Sequence, residues 1–380
     1  MKYRAFGKLD WNASVLGLGV MRLPGRENGG WGTVDQPAAV DLIRHAADSS
    51  INYLDLGFPW NQEWYEEIAR AVSQALRNGY RDKVRLALTV PAARLRQKGD
   101  FLHLVTKQLA ALGLDSVEFC LLGRLTRDNW ATLQELDILQ EMDKARESGL
   151  FAYPGFSFHD HYQILRGILE TYDRWALASF QFSFADVAHD PGLTGLRLAA
   201  NKGLAVVVTD PLKRGQLAVQ PPEIVEEIWS HSDRSWSPVE WALRFVWNQP
   251  EVTVAVVDVS SIAQLEENVR IAEAAEAKSL TIADEVVLGA VRDAYRNRQI
   301  VPCPSCRPCM PCPVGIDVPR FFEIYNDTVM YGDLETAKFI LAQEDIHPEL
   351  CNSCGLCEQR CAKRLPIVEW VEKGRAFFGL

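Results

Sequence analysis

No stretch of this chain is apolar for long enough to span a membrane; its longest hydrophobic runs have the length of strands. The N-terminal segment MKYRAFGKLDW has neither an apolar h-region nor a small-residue cleavage site, so the expectation is a protein of the reducing cytoplasm, where disulfides do not persist. An excess of positive charge is also missing. Lys and Arg number 40 against 50 Asp and Glu, and the net charge of −10 argues against nonspecific nucleic-acid binding through the bulk surface. Cysteine is nearly absent ahead of residue 303. Only Cys120 occurs there, in the apolar run VEFCLLG, and it reads as a small buried hydrophobe.

The other eight of the nine cysteines stand in two tight runs. The first, VPCPSCRPCMPCPVGID, holds Cys303, Cys306, Cys309 and Cys312; the second, ELCNSCGLCEQRCAKRLPI, holds Cys351, Cys354, Cys357 and Cys361. This spacing resembles that of two-cluster bacterial ferredoxins, in which three thiolates of a run hold one 4Fe–4S cluster and the fourth ligates the other. The resemblance implies one cluster on Cys303, Cys306, Cys309 and Cys361, and a second on Cys351, Cys354, Cys357 and Cys312. Structural zinc is the competing reading. It favours pairs of C-x2-C knuckles and gives no reason for a third cysteine followed by a lone fourth. Pro313 follows Cys312 as is usual in such ferredoxins, whereas Ala362 follows Cys361.

At 380 residues and 48% hydrophobic content the chain is too long for one ordinary core. Strand-like runs begin at Val15, Ile51, Val84, Val117, Leu150, Ala176, Leu204 and Val252. Between them lie stretches with apolar residues at i, i+3, i+4 and i+7, such as PAAVDLIRHAADS and LHLVTKQLAALGL. Eight strand–helix units in succession predict an α/β fold, a parallel (β/α)8 TIM barrel over residues 1–297, with the opening MKYRAFGKLDW as a hairpin closing its bottom. Residues 298–380 would form a small, mostly helical ferredoxin-like domain. Its two inter-run helices would be DVPRFFEIYNDTVMYG, capped by Asp317 with Pro319 in the first turn, and LETAKFILAQE.

The segments GLGVMRLP, INYLD, LFAYPGFSFHDH, GLAVVVTDPLKRGQL, SPVEWALRFVWNQPEV, SIAQLEENVRIA, CMPCPVGIDVPRFFEIYN and CNSCGLCEQRC occur in this order. Together they resemble the aldo/keto reductase superfamily, in particular its branch with a C-terminal ferredoxin-like domain. The resemblance implies carbonyl reduction by a nicotinamide hydride at a tetrad of Asp, Tyr, Lys and His. Aligned to that motif, Asp55 is retained, but Trp60 stands at the Tyr position, Thr89 at the Lys position and Gly123 at the His position. An indole N–H donates a hydrogen bond but is no acid near neutral pH, and Thr89 carries no charge to lower a neighbour's pKa. Tetrad chemistry is therefore not expected. Asp55 then reads as an acceptor for backbone N–H groups or as a remnant, and Tyr65 as a helix-packing residue or a substitute donor.

The loop PLKRGQL places Lys213, Arg214 and Gly215 where a pyrophosphate would lie, and Ser260 and Ser261 open a helix whose amides suit an anion. By the resemblance, Asn268 would contact the adenosine part of NADP and Gln181 the nicotinamide amide, while Phe182 and Ser183 replace the usual Tyr and Asn. The alternative is that these are ordinary cap and turn residues. Phe58, Trp60 and Trp64 could stack a planar small molecule at the barrel mouth, or pack under a loop; no independent flavin motif exists. His159, Asp160 and His161 lack further ligand groups, and Asp160 reads as a helix N-cap. A nicotinamide gives up two electrons and each cluster takes one, so coupling them needs a mediator such as a flavin. The reading is an iron–sulfur electron relay serving a redox protein partner. Its alternatives are an NADP-dependent oxidoreductase using non-standard residues, among them Arg124, His159 or Lys213, and a non-catalytic subunit with structural clusters.

Overall fold

Successive residues of each barrel strand point alternately into the barrel and out toward the helices, and both faces are apolar. The protein was analysed as a computed structural model that describes residues 1–25, 33–57, 62–187 and 191–380, the side chains of 62–64 and 343 excepted. A hairpin of β1 (Tyr3–Ala5) and β2 (Asn12–Ser14) comes first. Then follow β3 (Leu16–Gly19), β4 (Tyr53–Asp55), β5 (Arg85–Pro91), β6 (Val117–Leu125), β7 (Phe151–Phe158), β8 (Leu177–Gln181), β9 (Ala205–Thr209) and β10 (Val252–Asp258). They form a closed barrel in the order β10-β3-β4-β5-β6-β7-β8-β9, every pair parallel. The eight strand positions and the hairpin agree with the reading of the sequence.

Two apolar layers result from the strand period of two. Leu16, Leu18, Leu54, Leu88, Cys120, Phe156, Val206 and Val257 face outward and are buried under the helices that follow the strands. Tyr53, Ala87, Phe119, Leu121, Leu177, Val207 and Val254 fill the interior together with Phe6 from the hairpin. Phe6 plugs the lower end, its ring 4.8 Å from that of Phe119 and stacked on Tyr53. Arg4 anchors the hairpin by donating to the carbonyls of Trp247 and Gln249. Gly7 at φ 58 makes the approach possible, because a Cβ there would lie 2.6 Å from the Ala205 nitrogen.

The chain gathers into two compact units. One holds the barrel and runs to Ala283, interrupted by Gln216–Arg234; the other comprises Gln216–Arg234 and Asp284–Leu380. The helix Ile282–Arg296 thus belongs from Asp284 onward to the unit with the cysteine runs, whereas the sequence division at residue 297 left it with the barrel. Its assignment depends on long-range contacts, which helix periodicity does not report.

The second unit packs the helices Val318–Tyr331, Leu334–Gln343 and Ile367–Phe378 around Phe321, Phe322, Ile340, Val371 and Phe378. Asp317 caps the first helix by accepting from the Arg320 N–H, with Pro319 in its first turn, as read from the sequence. Half-buried Arg320 binds both oxygens of Glu344 at 2.8 Å and Glu323 at 2.8 Å, so its charge is paired twice. Asn326 accepts from Ile300 and Val301 N–H and donates to the Val301 carbonyl, which pins the segment entering the first cysteine run.

Candidate functional site

The upper end of the barrel interior is lined by the last inward residues of the strands. By strand parity these include Asp55, Thr89, Ser157, Gln181, Thr209 and Asp258. Parallel pairing sets Asp258, Gly19 and Asp55 side by side on β10, β3 and β4. Gly19 lacks the side chain that would separate the two acids. A Cβ there would lie 2.5 Å from the Asp258 carboxylate. Asp258 accepts from the Met21 N–H at 2.8 Å and Asp55 from the Gly57 N–H at 2.8 Å. Burial is the main cause raising the Asp55 pKa to about 7; the Gly57 hydrogen bond opposes it, and the charge of Asp258 adds to it.

Of the other tetrad positions, Thr89 is buried on β5 and Gly123 lies on β6, so neither brings a proton or a charge. Trp60 lies outside the described residues, as do Phe58 and the side chain of Trp64. Tyr65 is 2% exposed within the helix Gln62–Ala75 and packs in the outer core, the helix-packing role. Just above Gly123 the β6–β7 register slips between Leu122 and Leu125, and Arg124 takes φ 56. Its N–H donates to the Ser157 hydroxyl at 2.7 Å.

Lys213, Arg214 and Gly215 are three consecutive left-handed residues after β9. Lys213 lies 3.8 Å from Asp186, and Arg214 pairs with Asp210, which also accepts from its N–H and from Gln181. The N–H groups of Lys213 and Gly215 donate to the carbonyls of Asp210 and Leu212, so with Arg214 N–H on the Asp210 carboxylate this turn closes on itself. Ser261 caps the helix Ile262–Glu273 by accepting from the Gln264 N–H, and Gln264 in turn accepts from the Ser260 N–H. Asn268 is buried in the same helix. We expect Ser261→Ala to cost about 1 kcal/mol in urea unfolding through loss of this cap. A cost indistinguishable from zero would show that the hydroxyl is not retained for stability.

Phe182, at the position expected to face the nicotinamide, is buried and stacks on Phe245 at 5.4 Å. The helix Tyr162–Thr171 takes His161 as its N-cap, correcting the assignment to Asp160. Asp160 instead accepts from Arg127 N–H at the start of the neighbouring helix Arg127–Glu135, so its carboxylate serves a different helix from the one its sequence position suggests.

In the second unit the two cysteine runs open on the same backbone turn. In each, the second and fourth residues after the first cysteine are left-handed: Ser305 at φ 52 and Arg307 at φ 65 in one, Ser353 at φ 57 and Gly355 at φ 71 in the other. The Ser305 N–H points to the Cys303 sulfur, the Glu358 N–H to Cys357 and the Leu365 N–H to Cys361 at 3.4 Å. Cys361 acts electrostatically on both Cys303 and Cys309, and Cys357 also acts on Cys309, so the two runs lie within electrostatic reach of one another. Burial pushes the Cys303 and Cys357 thiols up and Cys309 to about 11. Among the described residues no three His, Cys, Asp or Glu side chains converge on a single-ion site. This shared loop geometry was missed in the sequence, where the signal was present as the repeated C-x-S-C.

A sequence description of the aldo/keto reductase family matches residues 15–285. No curated protein matches the chain by sequence. Among solved structures, the holo form of an aldo-keto reductase from Bacillus halodurans is 23% identical with a TM-score of 0.61, covering 77% of this chain and 96% of its own. An aldo/keto reductase from Klebsiella pneumoniae in complex with NADP and acetate is 19% identical with a TM-score of 0.59, covering 76% and 94%. A thermostable aldo-keto reductase in complex with the inhibitor epalrestat gives 19%, a TM-score of 0.59, and 77% and 100% coverage.

Proposed function

Since this chain belongs to the aldo/keto reductase family, we propose that it is a redox protein in which a family barrel without tetrad chemistry is joined to a two-cluster electron relay. The observation that carries the reading is the donor set of eight cysteines in two runs that open on the same pair of left-handed positions and lie within electrostatic reach of one another. Cysteine-rich runs of this spacing suit 4Fe–4S clusters, which exchange one electron at a time. Cys303, Cys306, Cys309 and Cys361 would hold one, and Cys351, Cys354, Cys357 and Cys312 the other. The N–H groups of Ser305, Glu358 and Leu365 would stabilise negative charge on the sulfurs. The raised thiols of Cys303, Cys309 and Cys357 must lose their protons on ligation, so loading releases protons.

The barrel sequence offers no proton donor of the family kind, because Trp60 stands at the Tyr position, and Thr89 and Gly123 stand where a charge and an imidazole would be needed. Its relation to a nucleotide is a second reading. In its favour stand the family membership of the barrel and the NADP bound to the Klebsiella relative. Gln181, Ser260, Ser261 and Asn268 would be the remaining contacts. A redox protein partner in the cytoplasm, where thiols stay reduced, completes the proposal.

The test is an anaerobic titration of iron-quantified protein with NADPH and then dithionite, followed by cluster absorbance and low-temperature EPR. We expect dithionite alone to reduce the centres, and no carbonyl reduction with NADPH. Reduction by NADPH would favour the nucleotide reading and require a mediator in the preparation. Protein without iron and sulfide after anaerobic reconstitution would overturn the relay.

A further inference from the structure

We propose that the surface formed by Leu350, Leu356, Arg360, Lys363 and Arg364 is the docking face for an acidic one-electron carrier protein. The inference rests on the relay reading above and names the chemistry of the partner. Cys354 is exposed, so electrons would meet the surface in this run. Leu350 and Leu356, on either side of it in sequence, are 53% and 36% exposed, so apolar surface flanks the exposed cysteine. Arg360 lies one helical turn after Leu356 in the helix Leu356–Arg360, and so shares its side. Lys363 and Arg364 follow in the turn after Cys361, both exposed.

None of these three cations has an ion pair among the described residues. The acids near them in sequence are engaged elsewhere: Glu349 with His347, Glu358 with the Val368 N–H, Glu369 with Lys373. Arg307, in the other run, is paired with Asp317. An apolar centre with an unneutralised cationic rim is the arrangement of a transient interface. It stands out against a chain whose net charge is −10, which by itself would attract a basic partner. Local charge at the contact steers association more strongly than distant charge screened by salt. The step is simple in balance: one electron leaves a reduced cluster and one enters the partner's centre, with no bond made or broken.

The prediction separates the patch from the overall charge. Holo protein is reduced anaerobically with limiting dithionite. It is then mixed in a stopped-flow instrument with an acidic blue-copper protein or a basic c-type cytochrome, both one-electron acceptors. We expect the second-order rate with the acidic acceptor to fall about tenfold between low and physiological salt. Replacing Arg360, Lys363 and Arg364 together by Glu should abolish that dependence, and replacing them by Gln should reduce it. A control with the same charge change on the barrel exterior, R70E, R77E and K107E, should leave it in place. If the rate with the acidic acceptor rises with salt, or the Glu and Gln variants of iron content equal to the wild type behave like the wild type, the docking face is wrong. If no reducible cluster is present, the relay reading and this one fall together.

Discussion

Asp55→Asn should make the barrel more stable at pH 8 while changing little near pH 4. The sign follows from proton binding. A carboxyl whose pKa is about 7 in the folded chain and near 4 in the unfolded one holds its proton in the native state while the unfolded chain has already lost it. Between these values the folded state binds more protons, so stability falls as pH rises. A shift of this size amounts to roughly 4 kcal/mol by pH 8, more than half of it accumulating between pH 5 and pH 7. Asn keeps an oxygen to accept from the Gly57 N–H and carries no charge to bury. Urea unfolding of both proteins at pH 5 and pH 8 should therefore show the gap widening by about 2–3 kcal/mol. Parallel pH curves would mean that Asp55 is an ordinary solvated acid. If the gap widens, the mouth contains a carboxyl able to give or take a proton near neutrality, with Asp258 as the neighbour that helps hold it there.

Combining cysteine substitutions across the two runs should give non-additive iron losses. If Cys361 completes the cluster of the first run, C306A and C361A each remove the same cluster, so the double variant should lose about half the iron and acid-labile sulfide, no more than either single variant. C354A with C361A, although both cysteines lie in the second run, should lose nearly all of it. The reverse outcome would assign each run its own cluster and overturn the shared ligation. The comparison is internal to one set of preparations and does not depend on knowing the potential of either cluster.

Much of the architecture was legible from residue patterns because each barrel strand carries its own signal. Runs such as VRLALTV and LAVVVTD are buried on both faces, and the helices between them repeat at 3.6 residues. Eight such units close into one barrel with little freedom in their order. The cap at Asp317 was readable for the same local reason. Thr89 and Gly123, at the positions aligned to Lys and His, are equally properties of the sequence.

The sequence by itself determined the strand–helix alternation, the residues absent from the tetrad and the spacing of the eight cysteines, all of which are properties of short segments. Only the tertiary structure decided what depends on approach between distant segments. It brought Asp258 beside Asp55 across Gly19, over two hundred positions along the chain. It turned Asp160 toward the helix at Arg127, took Phe182 against Phe245 and moved residues 284–297 into the cysteine-bearing unit. Periodicity records which face of an element is buried, but not which partner covers it, and the partner sets the pKa, the pairing and the exposure that chemistry uses.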